Sequence, residues 1–200
     1  MGRRKVSHPW NFWNLGKVGT LLCRRLKAME NLKWTGTAPA KKSWQAMPFA
    51  PGMYKIFLTG ALPKDANWPA ELTPLKRGDL LYVGKATNLR SRAKHHAVQT
   101  SKSTLRRSLA AILGLQAQWH GKSAHPRLTD VDEEVLSAWM VANLGMSFAV
   151  VPELEPVSGL EDAMREELCP PLNRDGRSPE QLHVSAVTAA AQRNALRDKG

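Results

Sequence analysis

The chain has 200 residues, of which 42% are hydrophobic, so it can form one domain with a substantial core and short extensions. Its net charge of +12 makes a polyanion the expected partner, with nucleic acid favoured over an anionic membrane surface. Its two cysteines lie far apart in the sequence, which argues against a disulfide framework or a structural zinc site and fits a reducing cytoplasm. The sequence contains no apolar run of about 18 residues, so no transmembrane helix is expected.

Residues 1–46 are a strongly basic extension. They contain ten lysines and arginines but a single acidic residue, Glu30, which gives them a net charge of +9. They also hold four of the seven tryptophans: Trp10, Trp13, Trp34 and Trp44. One interpretation is a nucleic-acid-binding arm, with cations on phosphates and indoles stacked on bases. The other is an extension that packs irregularly, and in both cases residues 33–43 are predicted to be a linker.

Beyond the extension, strand-like and helix-like stretches follow one another. Strands are predicted at residues 53–58, 80–83 and 147–151, with a Pro-rich polar loop at residues 59–78. The first helix is predicted to follow the cap Asn88, and the others to cover residues 103–113, 130–144, 159–168 and 179–197. Thr129 and Glu133 are the predicted capping box of the third helix. These elements predict a single α/β domain.

The first helix carries cations on the face that should meet the sheet. A helix that starts near Asn88 places Leu89, Arg92 and His96 on one face. A cation turned toward the sheet is costly unless an anion meets it. Tyr54 and Tyr82, one in each of the first two strands, can lie on the same face of an antiparallel pair. Two strand tyrosines alone are usually core residues, but beside an arginine and a histidine they become candidate proton carriers and phosphate ligands.

A site that hydrolyses a phosphodiester would also need a carboxylate. Hydrolysis of a phosphodiester at neutral pH usually needs a metal ion or several cations to take up the developing charge, and Mg²⁺ needs at least one rigidly held carboxylate. Glu161 and Asp162 are predicted in the first turn of the fourth helix, where the helix dipole alone would explain both. The residue pattern therefore leaves open whether Glu161 is a metal ligand or an acid that stabilises the helix.

Taken in order, these residues resemble a known family. Gly52-Met53-Tyr54, Tyr82-Val83-Gly84 and Arg92, ten residues after Tyr82, resemble the motifs of the GIY-YIG nuclease superfamily. Glu161, twelve residues before Asn173, resembles the family's segment of catalytic glutamate, helix, proline and asparagine. The resemblance covers roughly residues 50–175. Met53 stands where Ile or Val is usual, and the connection between the two tyrosine motifs is longer than in most members.

The resemblance implies a small three-stranded antiparallel sheet flanked by helices. This domain would cover residues 47–176, between the basic extension and a C-terminal helical tail at residues 177–200. The implied activity is that of an endonuclease that hydrolyses phosphodiester bonds of nucleic acid, more often DNA than RNA. The implied cofactor is one Mg²⁺ or Mn²⁺ ion.

The resemblance also implies a role for each candidate residue. Glu161 would hold the metal ion, and Arg92 would hold the scissile phosphate and offset charge in the transition state. Tyr54 would be the general base or a relay, Tyr82 would assist by hydrogen bonding, and His96 would help proton transfer. A free phenol has a pKa of about 10, so it must be acidified by cations or act through a water. The residues expected against the substrate are Gly84, Lys85 and Asn173, the last also bracing the site.

An alternative keeps the scaffold without the chemistry. A catalytically inactive nucleic-acid-binding module would also have the basic charge and the tryptophans, so these do not discriminate. The intact set of candidate residues favours a nuclease, because a pure binder has no reason to keep one carboxylate in a cationic cleft.

Overall fold

The computed structural model describes residues 35–37, 43–118, 125–151 and 154–197. Most of the basic extension, including the proposed stacking residues Trp10, Trp13 and Trp34, lies outside these ranges. None of the helices in these ranges has the length and apolarity needed to cross a membrane.

The main sheet is antiparallel throughout. Its strands are β1 (Thr35–Thr37), β2 (Gly52–Leu58), β3 (Leu80–Ala86) and β6 (Leu144–Val150), in the spatial order β1-β6-β2-β3. The predicted three-stranded antiparallel sheet is confirmed as β6-β2-β3. The short β1, which comes from the predicted linker, adds a fourth strand at one edge. A separate pair joins β4 (Ala117–Gln118) to β5 (Arg127–Leu128).

Five α-helices occur in the described ranges, at the places that the sequence predicted. They are α1 (Leu89–Val98), α2 (Thr104–Ile112), α3 (Asp130–Asn143), α4 (Leu154–Leu168) and α5 (Pro179–Arg197). Short 3-10 turns precede β2 (Ser43–Ala46) and α2 (Thr100–Lys102). Helix α1 begins after the predicted cap, since Asn88 Oδ1 accepts the N–H of Ser91 at 2.9 Å.

Two details of the helix ends differ from the prediction. The Thr129 side chain caps α3, but it bonds to Asp132, at 3.1 Å to the backbone N–H and 3.0 Å to the carboxylate, and not to Glu133. Asp132 is three residues after the cap, which is the position that a capping box uses. Helix α4 begins at Leu154 instead of residue 159, so Glu161 lies two turns inside the helix. The dipole at the helix N-terminus therefore does not explain Glu161.

The sheet is packed on both faces. Ile56 and Leu58 of β2 lie in a core formed with α1, α2 and α3. On the opposite face, Met53 and Val83 are buried against Met164 of α4. Met53 is fully buried there, so a strand interior accommodates the residue that departs from the usual motif. Because side chains alternate along a strand, β3 can present functional groups to both layers.

Strand β3 forms an edge of the sheet, and the chain after α4 covers that edge. The Leu172 N–H donates to Leu81 O at 2.9 Å. The Asn173 amide then bonds to both backbone groups of Val83: Oδ1 accepts its N–H at 2.7 Å, and Nδ2 donates to its carbonyl at 2.8 Å. Asn173 thus takes the place of a neighbouring strand and fixes the C-terminal end of α4 beside β3.

Candidate active site

The two motif tyrosines lie side by side on one face of the sheet. Tyr54 stands opposite Gly84 and Ile56 opposite Tyr82 in the strand register, so both phenols point into the same layer. Their rings stack with centroids 6.1 Å apart and planes at 24°. A Cβ atom at Gly84 would lie 2.3 Å from Tyr54 Oη, so only glycine leaves room for this phenol. Tyr54 itself is only 1% exposed.

His96 completes an aromatic cluster with the tyrosines. It lies on the buried face of α1 with Leu89 and Ala93, as predicted. Its Nε2 is 2.8 Å from Tyr54 Oη, and its Nδ1 is 2.7 Å from Ser103 Oγ. Its ring meets Tyr82 edge-on, with centroids 6.0 Å apart. Both ring nitrogens therefore have partners in a buried environment.

The hydrogen-bond inventory assigns the proton on His96. Ser103 Oγ accepts the backbone N–H of Arg106 at 3.1 Å, as the cap of α2. In the described part of the chain, the only acceptor for the Ser103 hydroxyl proton is His96 Nδ1. Nδ1 is therefore the acceptor, and Nε2–H donates to Tyr54 Oη. Burial, assisted by the charge of Arg92, lowers the pKa of His96 to about 3, so the imidazole is neutral.

The phenols differ in how readily they ionise. Burial raises the pKa of Tyr54 well above its ordinary value, and Tyr82 raises it further, whereas Arg92 lowers it. Burial and then the negative charge of Glu161 raise the pKa of Tyr82, but its contact with the Tyr54 hydroxyl and the charge of Arg92 lower it. Net acidification by nearby cations is thus absent for both phenols. A relay role fits this environment better than a stable phenolate.

Arg92 supplies a positive charge beside the aromatic cluster. It lies on α1 one turn before His96, and its charge acts on Tyr54, Tyr82 and His96. No carboxylate of the described ranges lies within 4.0 Å of its guanidinium. The anion that a sheet-facing cation needs is therefore not supplied by this part of the protein.

Glu161 approaches the same place from the other layer. Its side chain, 12% exposed, bonds to Lys85 with Oε2 3.3 Å from Nζ. A cleft of about 250 Å³ joins Glu161 to Tyr82 across the edge of β3. The other residues lining this cleft are Thr104, Arg165, Leu172, Asn173, Arg174 and Asp175. The cleft is where residues from both layers meet.

The residues at Glu161 fit a hydrated divalent ion. Mg²⁺ typically binds proteins through one or two carboxylates and keeps several waters. The described residues contain no group of three or more metal-ligating side chains, so an all-protein cage is not formed there. Asp175, the other carboxylate of the cleft, is paired with Arg165, so Glu161 at a cleft with room for water suits an ion that keeps its waters. Because Lys85 holds Glu161 Oε2, a bound ion and Lys85 would share this carboxylate.

A comparison with known proteins identifies the family. The family model described as the GIY-YIG catalytic domain matches residues 52–193. The chain belongs to the GIY-YIG nuclease family. The match begins at Gly52 of the first tyrosine motif and includes most of α5, beyond the part that the sequence motifs covered. No curated protein and no solved structure matches the chain. GIY-YIG nucleases act on nucleic acid and generally use a divalent metal ion.

The structure brings the motif residues together and adds others. Tyr54, Tyr82, Gly84, His96 and Arg92 lie in one layer, and Lys85 and Glu161 in the other, with Asn173 on the edge of β3 between them. Ser103 lies outside the sequence motifs, although a helix start is predicted there. Arg107 and Arg174 also lie outside every motif of the sequence.

Proposed function

We propose that the protein is a metal-dependent endonuclease that hydrolyses phosphodiester bonds of nucleic acid, with DNA as the main substrate. The observation that carries this proposal is the arrangement at one cleft, which Tyr82 and the carboxylate of Glu161 line from the two layers. The Tyr54–His96–Ser103 hydrogen-bond chain lies behind Tyr82, and the charge of Arg92, which no carboxylate of the described ranges neutralises, acts on Tyr82. A protein that only binds nucleic acid gains nothing from a carboxylate in this position, because it repels phosphate.

The proposed nuclease domain covers residues 47–176. The basic extension, residues 1–46, adds a net charge of +9 that attracts nucleic acid, and residues 177–200 form the C-terminal tail. Within the tail, α5 packs against α2, whose first residue, Thr104, lines the cleft.

Glu161 is the proposed ligand of one Mg²⁺ or Mn²⁺ ion, which when bound supplies positive charge to the phosphate oxygens and acidifies a coordinated water. Arg92 binds the scissile phosphate. Its planar guanidinium can donate two parallel hydrogen bonds to phosphate oxygens and offset the charge that grows in the transition state. Lys85, 41% exposed and beside Glu161, adds a second cation.

The hydrogen-bond chain is directed toward the cleft. Ser103 donates to His96 and His96 donates to Tyr54, so the Tyr54 hydroxyl proton faces away from His96, on the side of Tyr82. Of the two phenols, Tyr82 lines the cleft and Tyr54 is buried behind it. We therefore assign the contact with the reacting phosphate group to Tyr82 and the relay behind it to Tyr54. Because His96 Nε2 already carries a proton, the chain cannot take up a proton from the attacking water, which loses its proton to the solvent in the cleft. The chain donates outward instead: Tyr82 gives its proton to the leaving oxygen and receives the proton of Tyr54, and neutral His96 orients Tyr54 and stabilises the negative charge left on its oxygen.

Two residues that were expected to contact the substrate have a structural role in this proposal. Asn173 uses its carbonyl oxygen and its amide nitrogen on Val83, so it holds the edge of β3 in place. Gly84 leaves space for the Tyr54 phenol. Both position the catalytic groups, and neither needs to touch nucleic acid.

An arginine-to-lysine pair tests the proposal. Arg92→Lys keeps the charge but loses the planar fork, so we expect a fall in turnover of about 10-fold to 100-fold with little change in DNA affinity. Arg90→Lys is the matched control on the same helix, where Arg90 bonds to Met47 O and stacks over Phe49. The assay compares circular, linear and single-stranded DNA and RNA, with Mg²⁺ or EDTA. Equal turnover of both variants and the wild type would show that Arg92 does not bind the phosphate in this way.

A further inference from the structure

Two arginines beside the cleft are not neutralised by the described carboxylates. Arg174 directly follows Asn173 and lines the cleft with Tyr82 and Glu161. Its Nε is buried without a hydrogen-bond acceptor, and no carboxylate of the described residues lies within 4.0 Å of it. The acid next to it in sequence, Asp175, instead forms a bidentate pair with Arg165. Arg174 thus contributes to the cleft a positive charge that no described carboxylate neutralises.

Arg107 is the second of these cations. Its Nη1 donates to the carbonyls of Thr100 at 3.4 Å and Ser101 at 2.9 Å, and its Nη2 donates to Thr104 Oγ1 at 3.1 Å. All three acceptors are neutral, and its Nε is buried without one. Thr104 itself lines the cleft. These bonds fix the direction of the guanidinium without cancelling its charge.

Arg106, which precedes Arg107 in the sequence, is an arginine with a structural role. Arg106 is fully buried, and its Nη2 lies 2.6 Å from the Glu133 carboxylate. The contrast indicates that the fold pairs an arginine with a carboxylate where the arginine serves packing. Arg107 and Arg174 have no such partner in the described ranges and also repel each other, since the charge of Arg174 adds to burial in lowering the pKa of Arg107. Two half-buried like charges cost folding free energy unless a ligand compensates them.

The carboxylates of the cleft do not compensate them. Glu161 is paired with Lys85 and Asp175 with Arg165. Arg174 lines the cleft together with Tyr82, and Arg107 donates to Thr104, which also lines it, so both arginines lie beside the proposed reacting phosphate. An anion with several oxygens, such as a phosphodiester, suits two guanidinium groups.

We propose that Arg107 and Arg174 form a second phosphate subsite, which binds a backbone phosphate that flanks the scissile one in the same strand. The subsite rests on the proposed function, because its phosphate belongs to the strand that the site cuts. It holds the strand in register so that Arg92 and Tyr82 meet the scissile phosphate. Its contribution is to affinity, and the chemical step does not require it.

The test measures binding separately from cleavage. Arg107→Gln with Arg174→Gln is placed in a Glu161→Gln background, and the dissociation constant for a fluorescent oligonucleotide duplex is measured in EDTA over a range of salt concentrations. The control pair, Arg77→Gln with Arg193→Gln, removes the same charge from exposed positions. We expect the subsite pair to bind at least about 10-fold more weakly than the control pair, with a salt slope smaller by about 1, as for one lost phosphate contact.

The possible results separate the phosphate subsite from the proposed nuclease activity. If the subsite pair and the control pair bind alike at every salt concentration, the subsite is refuted. If circular dichroism shows that the subsite pair is not folded, the single variant Arg174→Gln replaces it, because the Arg174 side chain has no hydrogen bond in the described structure to lose. A dissociation constant equal to that of Arg193→Gln then refutes the subsite. In the otherwise wild-type protein, we expect Arg174→Gln to raise KM about 10-fold and to leave kcat unchanged. A protein that shows the binding effect but never cuts nucleic acid keeps the subsite and loses the proposed nuclease activity.

Discussion

Replacing Ser103 by alanine tests the hydrogen-bond chain behind the site. The Ser103 hydroxyl is fully buried, caps α2 through the Arg106 N–H, and donates to His96 Nδ1. Loss of such a cap costs about 0.5–2 kcal/mol, and a buried nitrogen left without its donor costs about 1–3 kcal/mol. Ser103→Ala should therefore lower the free energy of unfolding by about 3 kcal/mol, measured by urea denaturation.

The same change should slow the reaction. Without the Ser103 proton, nothing in the described structure fixes the His96 tautomer, so Tyr54 loses its assured donor. We expect kcat to fall by about 10-fold to 100-fold while KM stays the same, a loss at the lower end of what proton transfer by a positioned side chain contributes. Ser103→Thr, which keeps the hydroxyl, should recover most of this rate.

Thr129→Ala is the control for a lost cap. Thr129 caps α3 through Asp132 and is not part of the site. Its loss should cost about 1 kcal/mol and leave kcat unchanged at a temperature where both variants are folded. If Ser103→Ala keeps the wild-type kcat and is destabilised no more than Thr129→Ala, the assignment of the Ser103–His96–Tyr54 chain is wrong.

Three further variants test neighbouring parts of the account. Gly84→Ala would place a Cβ 2.3 Å from Tyr54 Oη, so the phenol must move; we expect about 1–3 kcal/mol of lost stability and a slower reaction, and unchanged values would contradict the register. Asn173→Ala should cost about 2 kcal/mol or more in urea denaturation, because two backbone groups of Val83 lose their partners; a smaller loss would mean that water replaces the amide. Burial lowers the pKa of His96 to about 3 in the folded protein, whereas the same imidazole has a pKa of about 6.5 in the unfolded chain. The free energy of unfolding of the wild type should therefore fall by about 1.4 kcal/mol per pH unit as the pH falls from 6.5 toward 3. His96→Gln should lack this loss, and parallel pH profiles of the two proteins would show that His96 is not buried as a neutral group.

The strand motifs were predictable because their signals are local. Alternation of side chains along a strand and antiparallel pairing indicated that Tyr54 and Tyr82 can share a face, and the strand register confirms that they do. The first helix was predictable from its cap and from the spacing of its apolar and basic residues, which also placed His96 on the buried side. The bounds of the last helix, Pro179–Arg197, were confirmed because proline favours the first position of a helix.

Other features depend on contacts between distant parts of the chain. Residues 35–37 pair with residues 146–148, and no local pattern predicts that pairing. The predicted start of α4 at residue 159 was wrong, because the helix begins at Leu154 and includes Pro156, which the first turn of a helix tolerates. Glu133 was assigned to a helix cap, whereas it neutralises the buried Arg106 from another helix.

The most direct test is cleavage by a variant that lacks the Glu161 carboxylate. Glu161→Gln keeps the size of the side chain and removes its charge, and Glu166→Gln makes the same change at an exposed position of the same helix. Each purified protein is incubated with supercoiled, linear and single-stranded DNA in Mg²⁺ or in EDTA. The proposed mechanism predicts Mg²⁺-dependent cleavage by the wild type and Glu166→Gln, and no cleavage by Glu161→Gln despite DNA binding as tight as that of the wild type. Full activity of Glu161→Gln, or cleavage by the wild type that persists in EDTA, would contradict it.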